Sequence, residues 1–453
     1  MKRTFFLWLT CAAGYVSPAQ IISSYNSADY IRVLKQATDI MINDATSPVA
    51  AARYYAYISL SANETAAVFD HKLPRFLGVL NGSSSINVAN DSFKLADAGL
   101  AILLSLNKSS TRLLPSGYLL KPGLDSLLQN AKKKKLTAAQ INAAISIADK
   151  VTAEVLQYAS KDGFVKLSGM RRFTPSTGDE YWQPTAPGFM AAVEPYWHTL
   201  RTFFLDSCNQ FAGMPPIRYS PDTTSEFYRS MKEVYEVNKH LSKQQSDIAN
   251  FWDCNPFALQ QVGHLEFGLK KISPGGHWMG ITGIACKKQQ LSLQQTAYVH
   301  ALVATGVADA FVACWSGKYK YNRVRPVTAI KRLIDANWSP LLQTPPFPEY
   351  TSGHSVISTT AATILTDIFG EHFSFTDDTE KEFGLPARRF TSFLAASQEA
   401  AISRLYGGIH FRDAIESGQK EGELIGRYII VHSPHKKSVK GAVAIIKPVN
   451  QHR

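Results

Sequence analysis

Apolar side chains recur at intervals of three and four residues along most of the chain, and good helix formers fill the positions between them. This pattern predicts helices over residues 31–45, 50–70, 92–106, 137–159, 225–251, 292–314, 355–369 and 386–406. The strict alternation of apolar and polar positions that is typical of strands is nearly absent. We therefore expect an all-α fold with little or no β-sheet.

Two long connections interrupt the helical pattern. Residues 172–195 and 211–221 are rich in proline, glycine and aromatic residues, which break helices. We place a domain boundary near residue 215, between an N-terminal helical region (20–215) and a C-terminal helical domain (216–435). Residues 436–453 form a basic tail that we expect to be loosely ordered.

The first 19 residues have the features of a secretory signal peptide. A positive start is followed by an apolar run over residues 5–16, which is too short to span a bilayer, and small residues precede Gln20. After this run, no stretch of about 18 uninterrupted apolar residues follows, so we expect no transmembrane segment in the mature chain. The sequence therefore predicts a periplasmic or secreted protein.

Composition adds less. A chain of 453 residues with 45% hydrophobic and 19% charged residues is ordinary for a globular protein and argues against disorder. The net charge of +12 favours anionic partners, such as phosphate-like ions, nucleic acid or anionic lipid, but it also fits a solubilising surface. The lysine run at 132–135 precedes a predicted helix and is interpreted as a solvated loop, so we expect no nucleic-acid partner.

Four cysteines follow the predicted signal peptide: Cys208, Cys254, Cys286 and Cys314. Their spacing matches no CxxC metal motif. Disulfides and buried free thiols both remain open for them.

The first of three segments with candidate chemistry follows the apolar helix predicted over 292–314. Gly317 is expected to end that helix, and Lys318, Arg323 and Arg325 then lie in a basic segment that ends at Pro326. The residue before a proline is extended, so the two arginines can share one face. Taken alone, the segment is typical of a solvated loop.

The second segment lies before the helix predicted over 355–369. A proline-rich approach leads into Thr351, Ser352, Gly353 and His354, which is typical of a helix N-terminal cap. A helix N-terminus offers free backbone N–H groups to anions, and a glycine allows an ion to approach closely. His354 would then lie beside that ion. Simple capping with a structural histidine is the alternative.

The third segment is interrupted by Gly407 and Gly408, between a helix that contains Arg404 and a second helix that starts near His410. Arg404 and His410 can then both face one pocket. Asp413 follows three positions after the histidine, on the same helical face, where a carboxylate could hold one imidazole tautomer. A surface arginine and a half-buried histidine are the alternative.

The three segments are more informative together than singly. They supply three cations, a helix N-terminus and two histidines, which is the inventory for binding a tetrahedral oxyanion with acid–base or nucleophilic chemistry. Their spacing, Lys-x6-Arg-Pro, then Ser-Gly-His, then Ser-Arg-x5-His, resembles the signature of the superfamily that joins type 2 phosphatidic acid phosphatases, class A acid phosphatases and vanadium-dependent haloperoxidases. The motifs cover about a quarter of the chain. Its length and exported character are most similar to the bacterial haloperoxidases, which implies a fold of two packed helical bundles.

This resemblance implies a role for each residue of the motifs. The oxygens of vanadate or phosphate would be held by Lys318, Arg325, Ser352, Gly353 and Arg404. His410 would bind vanadium in a haloperoxidase or be the nucleophile in a phosphatase. His354 would be the general acid–base, and Asp413 would orient His410. Two positions depart from the family pattern: Thr351 replaces a proline, and Ala414 occupies the position where an aspartate is common.

The resemblance implies a vanadate-dependent enzyme that oxidises halide with hydrogen peroxide to hypohalous acid. Trp315 and Phe347 resemble the halide-side wall of chloro- and iodoperoxidases, although core packing is the alternative for both. A soluble acid phosphatase acting on phosphomonoesters, without a cofactor, is the second hypothesis, and a catalytically degenerate relative is the third. His277 could reach the pocket or be structural. The halide preferred and the oligomeric state stay open.

Overall fold

Helices dominate the computed structural model, which describes residues 25–86, 94–262, 265–268 and 271–434. The predicted signal peptide and basic tail lie outside these residues. In chain order the helices are α1 (Ser27–Asn43), α2 (Pro48–Phe69), α3 (Ala98–Leu113), α4 (Lys121–Lys133), α5 (Ala138–Ser160), α6 (Phe164–Leu167), α7 (Glu226–Lys239), α8 (Lys243–Phe251), α9 (Pro274–Lys288), α10 (Leu293–Tyr321), α11 (Pro326–Leu333), α12 (Gly353–Phe369), α13 (Phe393–Tyr406) and α14 (Arg412–His432). The predicted all-α class is confirmed.

The strands are short. Two antiparallel pairs occur in the described residues, β1 (Leu259–Val262) with β2 (Leu265–Gly268), and β3 (Phe375–Asp377) with β4 (Arg388–Phe390). In the second pair, Phe375 lies opposite Phe390, and the pair ends just before Ser392, which caps α13. The helix predicted from residue 386 therefore begins later, because its first residues form β4.

Side-chain caps explain where several helices begin. The side chains of Thr137, Ser242 and Ser292 each accept a hydrogen bond from the backbone three residues later, and a glutamine at that position bonds back to the cap. Such capping boxes satisfy backbone donors that the first helical turn leaves free. The cap at Ser242 divides the single helix predicted over 225–251 into α7 and α8.

Helix α10 is the centre of the molecule. It packs against α2 on one side and against α12 on the other, so it joins a bundle that contains α2, α3 and α5 to a bundle that contains α12, α13 and α14. One continuous hydrophobic core extends from Tyr25 to Ile429 and includes residues of both bundles. The site segments at the end of α10 and the start of α12 are therefore fixed by the best-packed part of the chain.

Within the described residues, α10 is also the one helix that is long and apolar enough to cross a membrane, but its apolar stretch is wholly buried inside the protein. Such a helix is expected at the centre of a globular core. The four cysteines are all free thiols, and Cys254, Cys286 and Cys314 are buried. Cys208 is half-buried.

Candidate active site

The three polar segments of the sequence meet at the contact between α10, α12 and α13. Four of the predicted site residues, Gly353, His354, Arg404 and His410, line one pocket. The rest of its wall is mainly apolar and consists of Pro48, Cys254, Asn255, Pro256, Pro274, Phe311, Trp315, Pro345, Phe347 and Ile409. The pocket therefore has a polar end with two histidines and an apolar wall.

Lys318 is in the last turn of α10, because the helix continues past Gly317 to Tyr321 and ends at Asn322 in left-handed conformation. The prediction that Gly317 ends this helix is wrong. The ammonium group donates to the carbonyl oxygens of Pro348, Glu349 and Thr351 at 3.1, 3.1 and 2.6 Å. These bonds hold the approach to α12 against the end of α10. To contact an anion, Lys318 has to exchange one of them.

Arg325 and Arg404 are held mainly by backbone oxygens. Arg325 donates from Nε to Phe347 O at 2.9 Å and from Nη1 to Ile409 O at 2.8 Å. Arg404 donates from Nη2 to Trp252 O at 2.9 Å. Carbonyl oxygens fix the two guanidinium groups without neutralising them, so their positive charges are available to a ligand.

The three buried cations form no direct ion pair, although more distant carboxylates, Glu349 for Lys318 and Arg325 and Asp253 for Arg404, act to raise their pKa values. Lys318, Arg325 and Arg404 are 0–1% exposed. Among the residues that the structure describes, no carboxylate lies within salt-bridge distance of any of them: Glu349 and Asp413 contact Arg323 and the ring of His410 instead. Buried charges are costly unless they are paired, and burial lowers the pKa of Lys318 to about 8. The arrangement is that of a site built for an anion.

His410 is held in one tautomer. Its Nδ1 lies 2.8 Å from Glu349 Oε1, and its Nε2 lies 3.2 Å from Arg325 Nη1. A guanidinium only donates, so Nε2 carries the lone pair and the proton is on Nδ1, which donates to the carboxylate. Burial and the charges of Arg325 and Lys318 lower the pKa of His410 well below its usual value. The ring is therefore neutral and presents an unprotonated Nε2.

The predicted role of Asp413 is not met in the structure. Its two oxygens accept from Arg323 Nη1 and Nη2 at 2.7 and 2.9 Å, and Oδ2 also accepts from the amide of Ile217. Helix α14 begins at Arg412, so His410 lies before it and does not share a helical face with Asp413. Glu349 takes the position on the imidazole, and Arg323 lies between the two acids, 3.4 Å from Glu349 Oε2.

The start of α12 has the predicted form of an anion site. Ser352 is the N-cap, and its hydroxyl accepts from the amide and hydroxyl of Ser355. Gly353 is the first helical residue, and a Cβ there would meet only Trp315 and Lys318, at 3.9 and 4.0 Å. The backbone is therefore open to close approach at this point. Thr351, in place of the family's proline, bonds from its hydroxyl to Glu421 Oε2 at 2.9 Å.

His354 follows in the same turn. Its Nε2 is buried and has no hydrogen-bond partner among the described residues. Burial, followed by the positive charge of Arg404, lowers the pKa of His354 well below its usual value. A second buried polar atom without a partner among the described residues is Arg325 Nη2, which can only donate. Arg404 lines the pocket, whereas Arg325 contacts its wall at His410 and Lys318 lies close to Gly353. These cations and the two unsatisfied polar atoms fit a bound oxyanion.

Trp315 and Phe347 both line the pocket, and both also belong to the hydrophobic core, so the two alternatives for them stay open. Their rings lie 5.0 Å apart. Lys318 Nζ lies 5.1 Å from the Phe347 ring, and the Arg325 guanidinium lies at the same distance from it. The ring thus separates the cations from part of the apolar side of the pocket.

One functional residue, Glu349, had no place in the sequence prediction, and one alternative, for His277, was left open. Glu349 lies in the proline-rich approach to Ser352, and a carboxylate that close to a motif was a usable signal. His277 does not line the pocket and is fully buried behind Cys254, with its Nε2 2.7 Å from Asp377 Oδ2. Of the two alternatives for His277, a place in the pocket or a structural role, the structure favours the structural role.

Comparison with known proteins agrees with this geometry. A family model described as the VCPO second helical-bundle domain matches residues 298–337 and 333–436. No curated protein matches the chain. The crystal structure of a bacterial vanadium-dependent iodoperoxidase is 38% identical, with a TM-score of 0.84, and the match covers 90% of this chain and 96% of that one. The chain belongs to the vanadium-dependent haloperoxidase family. Two further structures share the fold. Holo-type bacterial vanadium-dependent chloroperoxidase is 17% identical with a TM-score of 0.65, and the match covers 87% of this chain and 94% of that one. The apo-type structure is 15% identical with a TM-score of 0.60, and the match covers 85% of this chain and 94% of that one.

Membership in the haloperoxidase family confirms the resemblance inferred from the three motifs. The motif segments 318–326, 351–354 and 403–410 all lie within the region matched by the family model. The phosphatase and degenerate-relative hypotheses are not favoured by these matches.

Proposed function

We propose that this protein oxidises a halide with hydrogen peroxide to hypohalous acid, with vanadate as its cofactor and iodide as its preferred halide. The observation that carries the proposal is the group of buried cations, Lys318, Arg325 and Arg404, which have no carboxylate partner within the described chain. A tetrahedral oxyanion would supply the missing negative charge. The 38% identical relative is described as an iodoperoxidase.

The residues of the pocket fit vanadate. The orphan Nη2 of Arg325, the guanidinium of Arg404 and the backbone at Gly353 would hold its oxygens, and the lone pair on His410 Nε2 would be the protein ligand to vanadium. When bound, vanadate supplies Lewis-acid activation of hydrogen peroxide. All other contributions come from the side chains of the chain.

His410 contributes by staying neutral. A protonated imidazole could not donate a lone pair, and the cations around His410 disfavour the proton at Nε2. Glu349 accepts a hydrogen bond from Nδ1–H and holds the ring in place, as carboxylates commonly do behind metal-bound histidines. Glu349 is therefore proposed as a positioning residue for the His410 ligand.

His354 contributes by holding or moving a proton. Its lowered pKa leaves the ring neutral in the empty pocket, and a bound anion would raise that pKa toward the working pH because negative charge favours the imidazolium. Its unpartnered Nε2 is the atom we assign to proton transfer at an oxygen of the ligand or of peroxide. Protonating that oxygen assists cleavage of the O–O bond.

The apolar wall supports iodide. Iodide is the largest and least strongly hydrated of the three common halides. It therefore gives up the least hydration free energy when it leaves water for a pocket lined by Trp315, Phe347 and Phe311. The cations behind Phe347 provide attraction without direct contact. The proposed order of turnover is iodide, then bromide, then chloride.

One assay tests this function. The purified protein, with and without orthovanadate, is given hydrogen peroxide and one of the three halides, and halogenation of an indicator is followed. We expect vanadate-dependent turnover that is fastest with iodide. Hydrolysis of p-nitrophenyl phosphate without turnover of any halide would support the phosphatase, and the absence of both activities would support a degenerate relative. Either result overturns the proposal.

We also propose that the protein is exported and that residues 1–19 are removed. The support is the sequence pattern: a basic start, a short apolar run and small residues before Gln20. Expression of the full gene product should place protein in the periplasm or medium with Gln20 as its N-terminal residue. Recovery from the cytoplasm with residues 1–19 intact would contradict this.

A further inference from the structure

A second cluster of chemically active side chains adjoins the anion pocket and shares Cys254 with its wall. It contains Cys254 after α8, His277 in the first turns of α9, Glu380 after β3, and Asp377 at the end of β3. The side chains of His277 and Asp377 are 0% exposed, and that of Glu380 is 5% exposed. None of these residues is needed for the proposed halide oxidation.

The distances within the cluster are close to those of a metal site. Cys254 Sγ lies 3.3 Å from His277 Nδ1, His277 Nδ1 lies 3.1 Å from Glu380 Oε1, and Sγ lies 3.9 Å from Oε1. Tetrahedral Zn²⁺ with ordinary bond lengths separates its sulfur, nitrogen and oxygen ligands by about 3.3–3.6 Å. The observed separations of 3.1, 3.3 and 3.9 Å bracket this range, so side-chain shifts of a few tenths of an ångström would bring the three atoms around one such ion.

The fourth residue acts on the histidine. Asp377 Oδ2 lies 2.7 Å from His277 Nε2, and the other oxygen of Asp377 accepts from the amide and hydroxyl of Thr379 at 3.1 and 2.6 Å. A carboxylate on the far nitrogen fixes the tautomer of a metal-bound histidine and makes it a better ligand. This arrangement directs Nδ1 at the sulfur and at Glu380.

Charge also favours a cation at this cluster. Within the described chain, neither Asp377 nor Glu380 has a lysine or arginine within salt-bridge distance, and each pairs only with His277. Two buried carboxylates and a thiol therefore share a single imidazole. A divalent cation would neutralise Glu380 and a Cys254 thiolate, and thiolate with imidazole selects Zn²⁺ over Mg²⁺ or Ca²⁺.

We propose that Cys254, His277 and Glu380 bind a divalent transition-metal ion of the Zn²⁺ class, with Asp377 positioning the histidine. Three protein ligands leave at least one coordination position for water. The site links three segments that are distant in sequence. It also stabilises the segment at Trp252, whose indole stacks on His277 at 4.6 Å and whose carbonyl accepts from Arg404.

Co²⁺ is a probe for the site because a cobalt–thiolate bond gives a charge-transfer band in the near ultraviolet. The full chain, freed of metal with a chelator and then dialysed, is titrated with CoCl₂. We expect about one Co²⁺ per chain with this band, and about one Zn²⁺ in protein purified without chelator. Failure to bind Co²⁺, or binding without the band, overturns the proposal and leaves a hydrogen-bonded thiol network.

Variants locate the site. Cys254→Ser should lose the band, whereas Cys208→Ser, at a half-buried cysteine outside the cluster, should retain it. Asp377→Asn should keep the band but bind Co²⁺ about 10- to 100-fold more weakly. Circular dichroism checks folding, and if Cys254→Ser does not fold, Asp377→Asn decides alone. An unchanged affinity in Asp377→Asn, or a band that survives in folded Cys254→Ser, overturns the assignment.

Discussion

Two buried histidines on either side of one pocket wall have similar bonds and opposite surroundings. His410 has Glu349 at 2.8 Å from Nδ1, and His277 has Asp377 at 2.7 Å from Nε2. The second nitrogen of His410 faces Arg325, at 3.2 Å. The second nitrogen of His277 faces the thiol of Cys254 and the carboxylate of Glu380.

The neighbours therefore decide the charge of each ring. Burial and the surrounding cations lower the pKa of His410 well below its usual value. At His277, burial also disfavours the charged form, but Asp377 and Cys254 outweigh it and raise the pKa well above that value. A carboxylate partner alone does not make a histidine cationic. His410 has one contacting carboxylate among several cations, whereas the two carboxylates at His277 have no lysine or arginine within salt-bridge distance in the described residues.

The largest effect should come from removing the lone pair at His410. His410→Ala should lower vanadate-dependent kcat/KM for iodide by at least about 10³-fold, as for other residues at the reacting centre. Steady-state halogenation measures it, with His432→Ala at the exposed end of α14 as the control that stays at wild-type level. Retention of a tenth or more of the activity in His410→Ala would show that the site is assigned wrongly.

A smaller effect separates the two acids near His410. Glu349→Gln removes the charge that accepts the hydrogen bond from Nδ1–H and should weaken orthovanadate binding about 10- to 100-fold. Asp413→Asn should weaken it less, because that carboxylate bonds Arg323 and Ile217. Competition between orthovanadate and phosphate measures both affinities.

The matched pair gives a clear contradiction. Each variant exchanges one buried or half-buried carboxylate for its amide, so general loss of charge is common to both. If Asp413→Asn weakens orthovanadate binding as much as Glu349→Gln does, then Asp413 orients the His410 ring through Arg323. The direct bond from Glu349 would then not be the important one.

Sequence periodicity predicted the helical class well because most helices bury one regular face. The positions 318, 325, 352–354, 404 and 410 could also be found, since each motif is local in sequence. The end of α10 was predicted too early because Gly317 is tolerated in a helix that both bundles hold in place. Tertiary packing, which residue propensities do not contain, decides such boundaries.

The partner of His410 could not be derived in the same way. Asp413 is near His410 in sequence, but Gly408 has φ of 74° and the helix begins only at Arg412, so the chain turns His410 away from Asp413. Glu349 reaches the ring from 61 residues away. The Cys254–His277–Glu380 cluster is still more dispersed and has no spacing that a motif could describe.

The smallest effect tests the comparison itself, through the pH dependence of stability without vanadate and with a chelator present. His410 has a lowered folded-state pKa, so its contribution is full above the unfolded value of about 6.5 and is lost as pH falls below it. His277 has a raised folded-state pKa, so its contribution to stability is full below about pH 6.5 and is lost as pH rises through the folded-state pKa. Each slope is at most about 1.4 kcal/mol per pH unit.

The measurement is the free energy of unfolding by denaturant between pH 5 and 8 for wild type, His410→Gln and His277→Gln. The wild-type advantage over His410→Gln should grow with pH, and that over His277→Gln should shrink. His432→Gln, at an exposed position, serves as the flat control. Slopes of the same sign in both variants would mean that the two rings carry the same charge. The contrast between an anion site and a cation site would then fail, even if each separate contact were correct.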